Sequence, residues 1–403
     1  MPSTFQPESQ GVPQRASEIL GGLDTVGGSM LHVLLRWRLA GLRSSRVSNV
    51  RLYVITVCLT CVPLCLVAFL TLPTLTQRSS ALNLPFLYDG NVAFMFTVSL
   101  PLLVIYTMSD QRVLTTAITL IVREDILALD PETAMRLRVR WEPRFARLNG
   151  AGQVVAVLVA SVVAWTNAIV VADPYLGHWA MEAGRVSPVG YLYLWCLFLF
   201  YLVATIYAAR CVAIIVFLRD LVGQAAIKLV PFHPDRCGGL RPVGEIGLRQ
   251  QYALSIVGIN LALLFFVSFE FLPPQRGLLA LVAAATAAYG VLGPVVFLGP
   301  LLPFREGMSR AKIDLMKEVA GRLRVELTNV RQRLRSGPIT KDDEELIERL
   351  QKIASFVEKL PVWPFDADTV RKFVTAFLLP LVGSLLSAQI PALLKLLKLS
   401  VPH

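Results

Sequence analysis

Charge is scarce in this sequence. Asp, Glu, Lys and Arg make up 17% of its 403 residues, whereas soluble domains carry roughly 25%. Histidine is scarcer still, at four copies, and the six cysteines form no framework. Cys58, Cys61, Cys65, Cys196 and Cys211 fall in apolar runs and read as small hydrophobes. Their placement argues against a disulfide scaffold, and the His and Cys spacing does not suit structural zinc. A GxxxxGK[ST] phosphate loop is missing as well. The expectation is therefore no metal and no cofactor. No cleavable signal peptide is evident either; residues 1–28, rich in Gly, Ser, Pro and Gln, predict a disordered cytoplasmic tail.

What the chain has instead is apolar length. Hydrophobic residues reach 55% and gather in runs near the ~20 residues that cross a ~30 Å hydrocarbon layer. Six such runs, about 52–73, 91–108, 152–172, 189–209, 251–272 and 278–303, define a membrane domain over 29–303. A seventh, about 371–394, follows a long charged stretch. The fold class expected is all-α: about seven transmembrane helices with a helical cytoplasmic layer. Two segments strain that count. "VLTTAITLIV" (113–122) is too short to span and lies along the interface or extends a helix. The seventh run holds Pro380 and Pro391, so re-entry on the same side, leaving six spans, is the alternative.

Basic residues set the expected orientation. Arg36, Arg38, Arg43, Arg46 and Arg51 precede the first span, and 109–150 carries seven arginines. The alternate connections hold one each: Arg78, Arg185 and Arg276. This asymmetry predicts a cytoplasmic N-terminus, an external C-terminus and residence in a bacterial inner (plasma) membrane. It also accounts for the formal charge of +11 without nucleic acid as a partner. The expected partner is the lipid bilayer.

The most regular pattern lies in 304–362. Ile313, Met316, Ala320, Leu323, Leu327, Val330 and Leu334 alternate at intervals of three and four, the heptad period. "RSGPITKDDEE" breaks the run, and Leu346, Leu350, Ile353, Val357 and Leu360 begin another. The reading is a cytoplasmic helical hairpin, packed on its own subunit or joining subunits as a coiled coil. In 363–403 the chain re-enters: Trp363 suits the interface, and Asp366 or Asp368 caps the last helix.

Three groups of residues attract functional attention. "PFHPDRCGGLRP" (231–242) places His233, Asp235, Arg236, Cys237, Gly238 and Gly239 together. A zinc site would need further ligands, and a Cys–His nucleophile would need an orienting group. The economical reading is a shaped turn; a gating or ligand-binding role is the sharper one. Within the spans, Arg210 marks an interface or a functional site, Asn167 and Asn260 join helices, and Glu270 is a vestibule candidate. In the last run Ala376, Pro380, Gly383, Ser384, Ser387 and Gln389 form a small, weakly polar stripe. Such a stripe packs helices closely or lines a pore.

This layout resembles that of the insect olfactory and gustatory receptor channels: a cytoplasmic N-terminus, an extended sixth helix and a last helix rising from a helical anchor. The resemblance is one of topology across most of the chain and implies a tetrameric cation channel with the final helix around a central pore. The function expected is an oligomeric ion channel, with a secondary transporter or a non-conducting scaffold or sensor as alternatives. An enzyme is not expected.

Overall fold

The computed structural model describes residues 8–29, 49–72, 75–77, 84–172, 177–182, 185–228, 233–270, 276–334, 341–358 and 360–396. Helices dominate: α1 (Glu8–Gly21), α2 (Asn49–Thr71), α3 (Gly90–Arg123), α4 (Pro131–Val171), α5 (Pro188–Gln224) and α6 (Arg241–Glu270). After them come α7 (Arg276–Leu298), α8 (Leu302–Leu334), α9 (Lys341–Glu358) and α10 (Ala367–Leu396). Two short antiparallel strand pairs tie loops at opposite ends: β1 (Leu127–Ala128) with β4 (Ala226–Ile227), and β2 (Met181–Glu182) with β3 (Arg185–Val186).

Five helices, α2 to α6, are long and apolar enough to cross a membrane. A sixth span results if Ala283–Leu298 and Leu302–Gln332, bent by 44°, count as one. Five or six of the expected seven are thus shown among the described residues. The bend falls at Gly299 and Pro300, because proline cannot donate to the helix ladder. α10 runs helically through 371–394, but the side chains from 387 onward lie outside the described residues. The outer surface agrees with lipid contact. α2 exposes Val54, Leu59, Leu66 and Phe69, and α4 exposes Val154, Leu158, Val162 and Trp165. This is the architecture of a multi-span helical membrane protein.

Three of these helices overrun the hydrocarbon layer. α3, α4 and α5, at 34, 41 and 37 residues, are about 50–60 Å long at 1.5 Å per residue. The segment 113–122 is therefore a continuation of α3, not an interfacial helix. The overrun builds a second core. One apolar cluster joins Leu64, Phe96, Leu100, Trp179, Tyr193 and Phe200. The other joins Leu20, Ile118, Trp141, Phe145, Phe217, Leu240 and Phe304. They meet along α3 and α5 near residues 105–113 and 212.

The N-terminal segment also differs from expectation. Residues 8–21 form α1, and Ala16, Leu20 and Leu23 are fully buried against α3 and α4. Asn149 on α4 holds the chain beyond it, donating to Thr25 O at 3.1 Å and Gly27 O at 3.0 Å. Three apolar residues at i, i+4 and i+7 supply the docking stripe, which the polar composition around them disguises. α8 and α9 do form a hairpin: Lys312 Nζ reaches Leu360 O at 3.1 Å, and Val319, Val357 and Leu360 share a small core. Only half of the heptad stripe is covered. Val330 is buried, whereas Ile313 and Leu327 stay exposed in this chain.

Candidate functional site

The loop 233–240 folds around one carboxylate. Asp235 accepts from the backbone N–H of Cys237 (2.9 Å), Gly239 (2.9 Å) and Arg241 (3.1 Å), the last opening α6. His233 Nδ1 lies 2.7 Å from the same carboxylate, with its Nε2 3.5 Å from Glu124. Burial alone would raise the Asp235 carboxyl, but these donors hold it below the ordinary range. Arg236, Gly238 and Gly239 have positive φ, as a tight turn demands. Cys237 is fully buried, and burial with Asp235 nearby pushes its thiol up to about 12, the opposite of an activated nucleophile. Among the described residues no group of three His, Cys, Asp or Glu can hold a metal. The geometry is that of a helix-capping turn that seats against Ile126.

A different cluster, only partly anticipated, occupies the junction of the two cores. Arg210 is 4% exposed and donates to Thr107 O at 2.7 Å. Arg249 approaches Asp110 at 3.3 Å, donates to Tyr106 O at 3.4 Å and to the Ser109 hydroxyl, and stacks 4.5 Å over the Tyr106 ring. Arg210 is also close enough to act electrostatically on Asp110. The second oxygen of Asp110 is buried and has no partner among the described residues. Asp110 stands 20 residues past Gly90, Arg210 22 past Pro188 and Arg249 21 before Glu270. At 1.5 Å per residue, all three sit about 30 Å from the far ends of their helices, at a common level of the bundle.

From this charged layer a line of polar side chains runs along α6 into the membrane domain. Among the described residues, both ends of the Gln250 amide, Gln251 Oε1, Asn260 Oδ1 and the Thr286 hydroxyl on α7 are buried without a partner. Gln251 and Ser255 pair with each other at 3.3 Å. Asn260 donates to Ser99 at 2.6 Å, on a π-helical turn of α3 (Met95–Ser99). Tyr289 of α7 reaches Phe377 O of α10 at 3.3 Å.

α10 closes this seam with its small face. A Cβ on Gly258 of α6 would stand 2.6 Å from Tyr289 and 2.8 Å from Pro380, and one on Gly383 would stand 3.4 Å from Ala262. Pro380 and Ser384 are buried, and Ala376 and Gly383 are half-buried. The exposed face of α10 carries Val374, Leu378, Val382 and Leu386 instead. The side chains of Ser387, Gln389 and Glu270 lie outside the described residues. Asn167 bonds within its own helix, to Val163 O at 3.2 Å.

Sequence reading singled out Arg210 and Asn260 but missed Asp110 and Arg249. Both sit at the ragged ends of their apolar runs, where charge is ordinary. Their overlap in helix position is the signal that pairs them. No protein-family model, no curated protein and no solved structure matches this chain.

Proposed function

We propose that the protein conducts a small inorganic ion along the seam between α6, α7 and α10, with the Asp110–Arg210–Arg249 layer as its gate. The observation that carries this is the pair of buried polar atoms at that seam, Gln251 Oε1 and the Thr286 hydroxyl, which have no partner among the described residues. Each would cost several kcal/mol in hydrocarbon unless water or a solute meets it. A hydrated path supplies that partner. The tight contact of Gly258 with Tyr289 and Pro380 then corresponds to a closed state. In this reading the stripe Ala376, Pro380, Gly383 and Ser384 forms the α10 wall of a path inside each subunit. Assembly into an oligomer, a tetramer in the first instance, is part of the proposal. The exposed, heptad-spaced Ile313 and Leu327 on charged α8 support it. So is a cytoplasmic N-terminus, on the arginine asymmetry.

A secondary transporter is the second reading, favoured by one observation: the Asp110 carboxylate keeps an oxygen free beside two guanidiniums. A group so placed can exchange a proton or cation as the helices rearrange.

Reconstitution into liposomes with flux assays for K⁺, Na⁺ and Cl⁻ tests both. Flux that rises linearly with ion gradient and falls in Gln251→Leu and Thr286→Val supports conduction. Saturating flux that follows a proton gradient and disappears in Asp110→Asn supports transport. No flux of any of these ions from folded protein, under an applied voltage and at pH 5 to 8, overturns both in favour of a scaffold or sensor.

A further inference from the structure

A groove of about 620 Å³ opens where α5 ends and α8 begins, away from the polar seam. Ile215, Val222 and Leu302 make its apolar wall, and Arg219 and Arg310 stand on its rim. Its depth in the membrane can be read from two helices independently. On the exposed face of α5, Val212 and Val216 give way to Arg219. On α7 and α8, exposed Val291, Val295 and Leu302 give way to exposed Arg305 and Glu306. Both walls change from apolar to charged within the groove, so it straddles the boundary between hydrocarbon and headgroups.

Glycines create the space. A Cβ at Gly299 would meet Ile215 at 2.7 Å and one at Gly307 would meet Ile227 at 2.4 Å, so the helices approach closely at these points. A Cβ at Gly223 meets nothing within 4 Å, because Gly223 looks into the groove itself. The rim carboxylates are engaged: Glu306 with Arg310 at 3.8 Å and Asp314 with Lys317 at 3.5 Å. Among the described residues no carboxylate lies within salt-bridge distance of Arg219.

We propose that this groove binds a membrane phospholipid, with its phosphate at Arg219 and an acyl chain along Ile215, Val222 and Leu302. Volume, amphipathic lining and depth suit a molecule with one anionic and one apolar end, and the surrounding bilayer supplies such molecules. The groove also spans the junction of α5 with the bent α7–α8 pair, so its occupant would wedge these elements.

Photo-crosslinking tests this. Full-length protein in detergent is mixed with phosphatidylglycerol bearing a diazirine in its acyl chain, irradiated and digested. Label is expected to concentrate on peptides holding residues 215–227 and 299–311. Gly223→Leu, which fills open space, should remove that label and leave labelling of the lipid-facing α2 and α4 unchanged. Arg219→Glu, at an exposed position, should lower it about tenfold, the equivalent of one lost charge-assisted contact. Groove labelling no stronger than that of α4, or equal in wild type and both variants, overturns the proposal. Displacement by inorganic phosphate alone overturns the lipid assignment.

Discussion

Asp110 on α3 and Arg249 on α6 meet at 3.3 Å, with the membrane core on one side and the second apolar cluster on the other. Removing one partner leaves buried charge uncompensated. Asp110→Leu should therefore destabilise the protein by about 3–5 kcal/mol. Asp110→Leu with Arg249→Met should recover much of that loss, measured as thermal unfolding in detergent. A double-variant loss equal to the sum of the two single losses would show that the two residues do not act as a unit.

Asp235 organises its turn through three backbone N–H groups. Asp235→Ala strands these donors, and a cost of about 2–4 kcal/mol follows from the ~1–3 kcal/mol typical of each buried unmade bond, discounted for partial exposure. Asp235→Asn, which keeps an acceptor, should lose less. Unfolding midpoints with and without EDTA should coincide for the wild type. A large EDTA-induced drop would mean that a metal, not this hydrogen-bond cage, holds the loop.

Gly239 has φ +90°, and a Cβ there would stand 2.0 Å from Ile126 Cδ1. Gly239→Ala should cost about 1–3 kcal/mol from strain and overlap together. Adding Ile126→Ala removes the overlap but not the strain, so it should rescue the Gly239→Ala cost in part. Full rescue in a double-mutant cycle would assign the cost to the clash alone.

His178 makes stability pH-dependent at the opposite end. Burial pulls its imidazole down to about 4, while an unfolded histidine titrates near 6.5. The unfolded chain takes up this proton first as pH falls. The contribution of His178 is thus intact above about 6.5 and lost toward 4, up to about 3 kcal/mol. Asp89, 3.7 Å away, works in the other direction: burial raises its carboxyl, opposed by the Trp179 and Val92 N–H donors. His178→Gln should flatten the acid-side fall in melting temperature between pH 7 and 5. A wild-type profile already flat over that interval counts against the assignment.

Much of this fold was legible in the sequence because hydrocarbon imposes a simple demand on the chain. Long apolar runs mark parts of α2, α4, α5 and α6, and the heptad run 313–334 lies in α8. Asp366, one of two expected caps, does receive the Thr369 N–H at 2.9 Å. What could not be read was partnership. Nothing local to Asp110 announces Arg249, 139 residues away. Nor does the small stripe of α10 state which helix it will meet. α1 escaped notice because its docking stripe is three residues set in polar surroundings.

The α6–α10 contact has a consequence for how the chain is made. α6 ends at Glu270 and α10 begins at Ala367. Roughly a hundred residues are therefore synthesised after α6 before its partner emerges. At a rate of about 5–20 residues per second, Gly258 and Ala262 would wait several seconds or more without α10 beside them. Contacts with α3, among them Asn260 with Ser99, are available earlier but lie on the opposite face of α6 and leave that surface uncovered. A chain stopped before α10 would present a polar, glycine-notched groove to the bilayer, a recognisable mark for quality-control proteases. Completion of the helix bundle is thus delayed until α10 packs against α6.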